Sequence, residues 1–308
     1  MSFQSVFPAI SRIADQSDGP GGLIVGAIKS RLDKTGPPPR DYGTLPSVPK
    51  GASMSFKRGL QQLPQTAQQR LGDKCQLGWE ATSLAQLDDG TFDVSFTTPS
   101  GAVSVRAKTV VVSTPAAAAA TLLASVTATA SNLAKITSPP VFAVTIAYPS
   151  NMFVADQKCV DQESGRLSAF GVLLPRSSGL QTLGFQCISS LFPSRAPAGQ
   201  EVLLAYYGGA QNSNVADMSE ADVVAKVHAD AQTILLKPNS PLPEVLSVRK
   251  WSAGIPQYNV GHKEIVDSVR HELPKGIFLG GNALGGGISL GDCVEGGYKC
   301  AQQALTLL

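Results

Sequence analysis

Gly280, Gly281, Gly285, Gly286 and Gly287 crowd one stretch of the chain, Gly276 to Cys300, which reads GIFLGGNALGGGISLGDCVEGGYKC. A short apolar strand, Ile277-Phe278-Leu279, runs into this turn, and the spacing predicts a helix starting near Gly291-Asp292. Backbone rather than side chains must line such a turn, and glycine lets a ligand approach the main chain closely. The first N–H groups of a helix have no intrahelical acceptor and carry positive dipole character. Strand, bare turn and helix start together make a seat for an anionic or polarised cofactor group. The competing reading is a glycine-rich turn that serves only as a turn.

Side-chain chemistry is scarce elsewhere. No Ser-His-Asp, Cys-His or paired-carboxylate arrangement can be assembled, so no catalytic side chain is assigned. Five cysteines (Cys75, Cys159, Cys187, Cys293, Cys300) are an odd number at spacings that fit no zinc signature, and they read as buried thiols in a reducing compartment. Cys293 and Cys300 fall seven apart on one face of the last helix, where packing is the default reading. Three scattered histidines, His228, His262 and His271, imply no metal. The net charge of +2, from 25 basic and 23 acidic residues with no basic run, gives no case for nucleic acid. With 43% hydrophobic and 16% charged residues, the 308-residue chain reads as globular, with room for a substantial core and two domains. No apolar run approaches the roughly 20 residues that span a bilayer. The N-terminus carries neither a signal-peptide core nor an Arg- and Ser-rich transit segment.

The elements that must position the glycine turn follow from periodicity. Residues 1–50 hold one helical pattern, Leu23 to Ile28 with Lys29, Arg31 and Lys34 behind it, then Gly36-Pro37-Pro38-Pro39, which no helix can cross. Leu60, Leu63, Ala67 and Leu71 predict an amphipathic helix between Ser55 and Leu71. Phe92, Val94 and Phe96 alternate after Asp89-Gly90, and Val103, Val105 and Ala107 after Pro99-Ser100-Gly101, which predicts an antiparallel meander. The unbroken run Val110-Val111-Val112 reads as a strand buried on both faces of a parallel sheet, ended by Ser113-Thr114-Pro115 where a cofactor could lie against the backbone. Ala116 to Ala120 reads as a tightly packed helix start. Beyond it lie strands at Val141 to Tyr148 and Glu201 to Tyr207. A helix capped by Ser219 follows, with Val223, Val227, Ala231 and Ile234 on one face and His228 beside that stripe as a solvated or capping residue.

Six blocks carry a resemblance: SFKRGLQQLP (Ser55 to Pro64), VVVSTPAAAAATLL (Val110 to Leu123), AFGVLLP (Ala169 to Pro175), TLGFQCISSLFPSRAPAG (Thr182 to Gly199), LLAYYGGAQN (Leu203 to Asn212) and IPQYNVGH (Ile255 to His262). Together with the glycine turn they resemble protoporphyrinogen oxidase of the plant type. The implied fold is α/β (α+β mixed): a partial FAD-binding domain of the flavin amine oxidase type plus a β-sheet-based substrate domain. The expected boundaries are 1–50 for a remnant of a helical membrane-associated domain and linker, 51–117 for the middle of the FAD-binding domain, 118–262 for the substrate domain, and 263–308 for the C-terminal part of the FAD-binding domain. That family grips FAD with an N-terminal G-x-G-x-x-G unit. The nearest approach here, Gly19-Pro20-Gly21, has Ile24 where the third glycine belongs and follows Asp15-Gln16-Ser17-Asp18, which is no buried strand. The expectation is therefore the C-terminal portion of a larger flavoenzyme, a truncated product or an incomplete gene model, inactive and without retained FAD on its own.

The reaction implied by the resemblance is oxidation of protoporphyrinogen IX to protoporphyrin IX by molecular oxygen, in heme and chlorophyll biosynthesis. FAD would carry the redox chemistry, which fits the silence of the side chains. Carried over by position, Ala81 matches a contact to the adenine end of FAD. Gly281, Asn282, Ile288, Ser289 and Leu290 match contacts to the flavin, although the loop between Asn282 and Ile288 reads a residue longer than in plant relatives. Leu173 and Gln186 match a pair that sandwiches one ring of the tetrapyrrole, and Tyr206 matches an aromatic that stacks on another. Gln186 departs from the aliphatic residue of relatives, and a buried amide needs partners. The basic residue that pairs with a substrate propionate lies upstream in the family; Arg176 and Arg195 read as structural or exposed. Peripheral membrane contact in the chloroplast is expected, with the mitochondrion as the alternative and a homodimer left open. Two other readings stand beside this one: a catalytically silent remnant or interaction module, and a related flavin amine oxidase or carotenoid desaturase.

Overall fold

The computed structural model describes residues 54–308 apart from 155–158, 162, 165 and 211, so the expectations for residues 1–50 lie outside the described residues. The chain divides into two units, one closing at Ile136 and resuming at Tyr258, the other running from Thr137 to Gln257.

In the first segment, α1 (Gln62–Leu71) occupies the latter part of the expected 55–71 stretch. None of its residues is buried, and Leu60 and Leu71 stay more than half exposed, so its apolar stripe meets no core among the described residues. The meander is found. β1 (Glu80–Gln86), β2 (Phe92–Thr98) and β3 (Gly101–Ala107) form an antiparallel three-stranded sheet with β2 central. Alternation buries Phe92 and Leu84 beneath it. β4 (Val110–Val112) leads through Pro115 into α2 (Ala116–Leu123), whose Ala116, Ala119, Ala120 and Leu123 are buried. A 3-10 segment, Ala128–Lys135, adds Leu133 to the same core. α2 and this segment pack in the first unit, although residues 118–123 of α2 and all of the segment fall within the 118–262 stretch assigned from sequence to the second.

The second unit is built on an antiparallel sheet in the order β6-β7-β8-β5-β9. Its strands are β5 (Val141–Pro149), β6 (Gly171–Leu173), β7 (Thr182–Cys187), β8 (Gln200–Gly208) and β9 (Glu244–Trp251), with the one-turn α3 (Ile188–Leu191) after β7. Phe142, Val144 and Ile146 of β5 join Leu203, Ala205 and Tyr207 of β8 in one core with Val223, Val227 and Ala231 of α4 (Glu220–Ile234). The Ser219 hydroxyl caps α4 by accepting from Asp222 N–H at 3.1 Å. His228 corrects the sequence reading: it is 7% exposed, stacks on Tyr148, and its Nδ1 lies 2.8 Å from the Tyr148 hydroxyl. A buried carboxylate, Glu201, is satisfied by Arg166 Nε at 2.8 Å and by the Ser189 and Ser150 hydroxyls. The unit's two ends meet, with Gln257 N–H donating to Thr137 O at 2.8 Å and Gly254 N–H to Pro139 O at 3.0 Å.

The chain then returns to the first unit through α5 (His262–Glu272), β10 (Ile277–Leu279), α6 (Gly281–Leu284) and α7 (Leu290–Leu305). Val266 and Val269 of α5 complete the first core. β10 pairs in parallel with β4, setting Ile277 against Val110 and Leu279 against Val112. The glycine turn is less bare than its sequence suggests, because α6 inserts one helical turn before Gly285.

Candidate functional site

The parallel pair β4–β10 opens at its C-terminal end into a cavity of about 670 Å³. Val111 and Ser113 line it from β4 and the residues after it, and Gly280, Gly281 and Asn282 from the end of β10. Leu290, Cys293 and Gly297, at i, i+3 and i+7 along α7, present one helix face to it, with Ile288 at its rim. Val111 is 43% exposed, which corrects the reading of its strand as buried on both faces. In a two-stranded sheet one face meets the core through Val112 and the other borders the cavity. Sequence reasoning missed Cys293 and Gly297 as lining residues; their helical spacing from Leu290 is the signal that could have found them.

Glycine is required at the turn itself. Gly281 has φ +78°, and a Cβ there would lie 2.9 Å from Ser113 O, so the main chains of the two strand ends touch without side chains between them. The helix start differs from the expectation of a bare anion site. α7 begins at Leu290, Ser289 caps it, and the Asp292 carboxylate accepts from Ser289 N–H at 3.1 Å and from the Ser289 hydroxyl at 2.6 Å. This capping box satisfies Asp292 N–H and sets a negative charge at the positive end of the helix. The first-turn N–H groups of Leu290 and Gly291 remain for a polarised but uncharged acceptor. A phosphate would meet Asp292.

Behind the cavity the loop is tied down. Tyr258 is 4% exposed, donates its hydroxyl proton to Asn282 O, and stacks on His262 with ring centroids 4.0 Å apart. Burial, with Cys293 and Asp292 nearby, pushes the phenol up to about 12. Burial first, and the Arg270 guanidinium second, hold the His262 imidazole below its usual range. Its Nδ1 has no hydrogen-bond partner among the described residues. Arg270 itself donates to Leu284 O at the end of α6.

In the second unit, strand register brings the expected ligand residues together. Leu173 pairs with Gly184, Gly184 with Tyr206, and Tyr206 with Ala143, so these four share one cross-strand row. Gln186 falls in the next row between Gly171 and Leu204. Since alternate residues face opposite sides, Leu173, Gln186 and Tyr206 occupy the face opposite the core that holds Phe185, Ala205 and Tyr207. Leu173 is 88% exposed and Tyr206 36%, while Gln186 is half-buried with no side-chain hydrogen bond among the described residues. Ala81 stands apart from these groups. It is a half-buried residue of β1 paired with Phe96 beside a bulge, and it does not line the cavity of Gly281 and Asn282. Arg176 and Arg195 lie exposed in short 3-10 turns, the latter with its guanidinium 4.3 Å from the Phe192 ring.

One unit holds a strand pair that ends in a glycine turn against a helix start and the other an antiparallel sheet, and the chain belongs to the flavin containing amine oxidoreductase family, whose profile matches residues 12–305. Within it the chain is similar to plant protoporphyrinogen oxidases. It is 38% identical over 303 residues to the chloroplastic protoporphyrinogen oxidase 1 of Arabidopsis thaliana, covering 96% of this chain and 56% of that protein. To the chloroplastic protoporphyrinogen oxidase of Oryza sativa subsp. japonica it is 39% identical over 311 residues, covering 98% of this chain and 56% of that protein. The chain thus spans about half the length of the curated relatives it matches. In fold it is similar to the crystal structure of a candidate protoporphyrinogen oxidase from Exiguobacterium sp. 255-15, with TM-score 0.68 and 20% identity, over 99% of this chain and 60% of that one.

Proposed function

We propose that this chain serves the FAD-dependent oxidation of protoporphyrinogen IX to protoporphyrin IX in the chloroplast, with molecular oxygen as final acceptor. The observation that carries the reading is the shared face of Leu173, Gln186 and Tyr206 opposite the core, on which the exposed Leu173 and Tyr206 offer an aliphatic and an aromatic contact suited to a flat macrocycle. Gly281, Asn282 and the α7 start at Ile288, Ser289 and Leu290 would hold the flavin. The carboxylate of Asp292, set against Gly287 at the start of α7, suits the neutral carbonyl edge of a flavin ring better than its phosphates. Bound flavin supplies the acceptor for the hydrogen removed from the substrate. The chain's own part is to present main-chain donors, exclude bulk from the glycine turn, and seat the macrocycle. No helix among the described residues is long and apolar enough to cross a membrane, and the reading includes peripheral contact through exposed apolar side chains such as Phe170.

Titrating the full chain with protoporphyrin IX, followed by its absorbance and fluorescence, tests the reading. Saturable binding weakened several-fold by Tyr206→Ala and by Leu173→Asp is expected. Binding indifferent to both substitutions would sink it.

A further inference from the structure

The row that holds Leu173, Gly184, Tyr206 and Ala143 continues across the sheet to one more residue, Arg249 on β9. Arg249 is exposed, and its guanidinium lies over the ring of Trp251, 5.1 Å from the centroid, two residues along the same strand and hence on the same face. It has no ion-pair partner among the described residues. The rest of its row is uncharged, and so is the neighbouring row from Gly171 through Gln186, Leu204 and Thr145 to Ser247. These two rows therefore carry one cation and no acid; the acid Glu244 stands two rows further along the same face, paired with Ala147.

The spacing sets what could use this cation. Tyr206 and Arg249 are two inter-strand steps apart, about 10 Å between main chains. A Cβ at Gly184 would lie 2.5 Å from Val172 O and 3.4 Å from Leu173 Cδ2, so this glycine lets β6 pack closely on β7 and raises no side chain of its own between Leu173 and Tyr206. A ligand lying flat over this row and reaching the guanidinium must be broad, apolar in its middle and acidic at its rim. Stacking on Trp251 restrains the guanidinium plane, so less rotamer freedom is lost when its paired N–H groups meet a carboxylate. We infer that Arg249 anchors a carboxylate of the macrocycle on this face, and so makes the site selective for porphyrin acids over their neutral counterparts. The assignment rests on the porphyrin reading proposed above. The competing account is an edge-strand arginine whose charge only discourages pairing with other strands.

Protoporphyrin IX and its dimethyl ester, titrated in parallel against the full chain, separate these accounts. Arg249→Gln is expected to weaken the diacid about five- to tenfold, the loss of one charge-assisted pair, and to leave the ester unchanged. Arg249→Lys, which keeps the charge but loses the fork, should fall between the two. Equal weakening of acid and ester, or no weakening of either, overturns the assignment while leaving the porphyrin reading intact so long as Tyr206→Ala still impairs binding. Absence of binding by every form overturns both. Far-UV circular dichroism of each variant confirms that β9 still pairs.

Discussion

The Tyr258 hydroxyl donates to the main-chain carbonyl of Asn282, joining the IPQYNVGH segment to the glycine turn. Two stretches with no obvious relation in sequence thus form one support, with Tyr258 stacked on His262 beneath and the cavity above. The buried phenol is the brace of a loop whose own glycines give it little stiffness.

Removing that proton donor should loosen the loop without emptying the core. Tyr258→Phe is expected to lower the free energy of unfolding by about 1 kcal/mol. It should also speed amide hydrogen exchange at residues 282–287. Unchanged exchange there would show that the turn stands without the phenol.

Gly281 and Gly286 both have positive φ, +78° and +92°, but only Gly281 faces a neighbour that a Cβ would strike. Gly286→Ala should cost about 1 kcal/mol for the left-handed backbone alone. Gly281→Ala adds the collision with Ser113 O and should cost clearly more in denaturant unfolding. Equal costs would mean that the strand ends are not in contact.

Acid should destabilise the chain through its buried imidazoles. Burial holds both His228 and His262 below the ordinary 6.5, so their neutral forms are favoured in the folded state. Below that value the unfolded chain binds more protons, and stability present near neutrality is lost as pH falls through the folded-state values. Asp267, held below its ordinary 3.8 chiefly by its bond to Lys263, responds only at lower pH. The melting temperature should drop on going from about pH 7.5 to about pH 5, and less steeply in the His228→Gln, His262→Gln double variant. A flat profile would rule the imidazoles out as its source.

Gln186 tests the polarity of the sheet face. Covering an amide that has no side-chain hydrogen bond costs roughly 1 to 3 kcal/mol. Gln186→Leu should therefore tighten protoporphyrin IX binding several-fold and leave the melting temperature near that of the parent. Unchanged affinity with a lowered melting temperature would remove Gln186 from the ligand surface.

Much of the fold was legible because the physics was local. Phe92, Val94 and Phe96 alternate as a half-buried strand must, and Ser219 caps α4 as its position suggested. What escaped was set by partners far along the chain. Val111 reads as doubly buried from its neighbours, yet its second face borders the cavity because β4 pairs only with β10 among the described residues. His228 lies buried because Tyr148, on another strand, offers it a hydroxyl. β9 gave no apolar alternation, being an exposed edge strand, so nothing in its sequence set Arg249 in line with Tyr206. For the candidate site, motif resemblance supplied the glycine turn and the three sheet residues; register supplied their common face.

The bonds from Gln257 N–H to Thr137 O and from Gly254 N–H to Pro139 O bear on how the chain reaches its folded state. Val110 is made long before Ile277, so the pairing of β4 with β10, its one partner among the described residues, cannot form until residues 137–257 have been synthesised. Closing a flexible loop of that length carries an entropic cost that grows with the logarithm of its length. Once the insertion folds, its stapled ends replace the long loop by a short bridge, and most of that cost falls away. Loop entropy therefore favours an order in which the inserted sheet forms first and the strand pair around the glycine turn closes behind it. A lesion at the 137–257 junction would slow maturation and prolong exposure of an aggregation-prone edge while leaving every cavity residue in place.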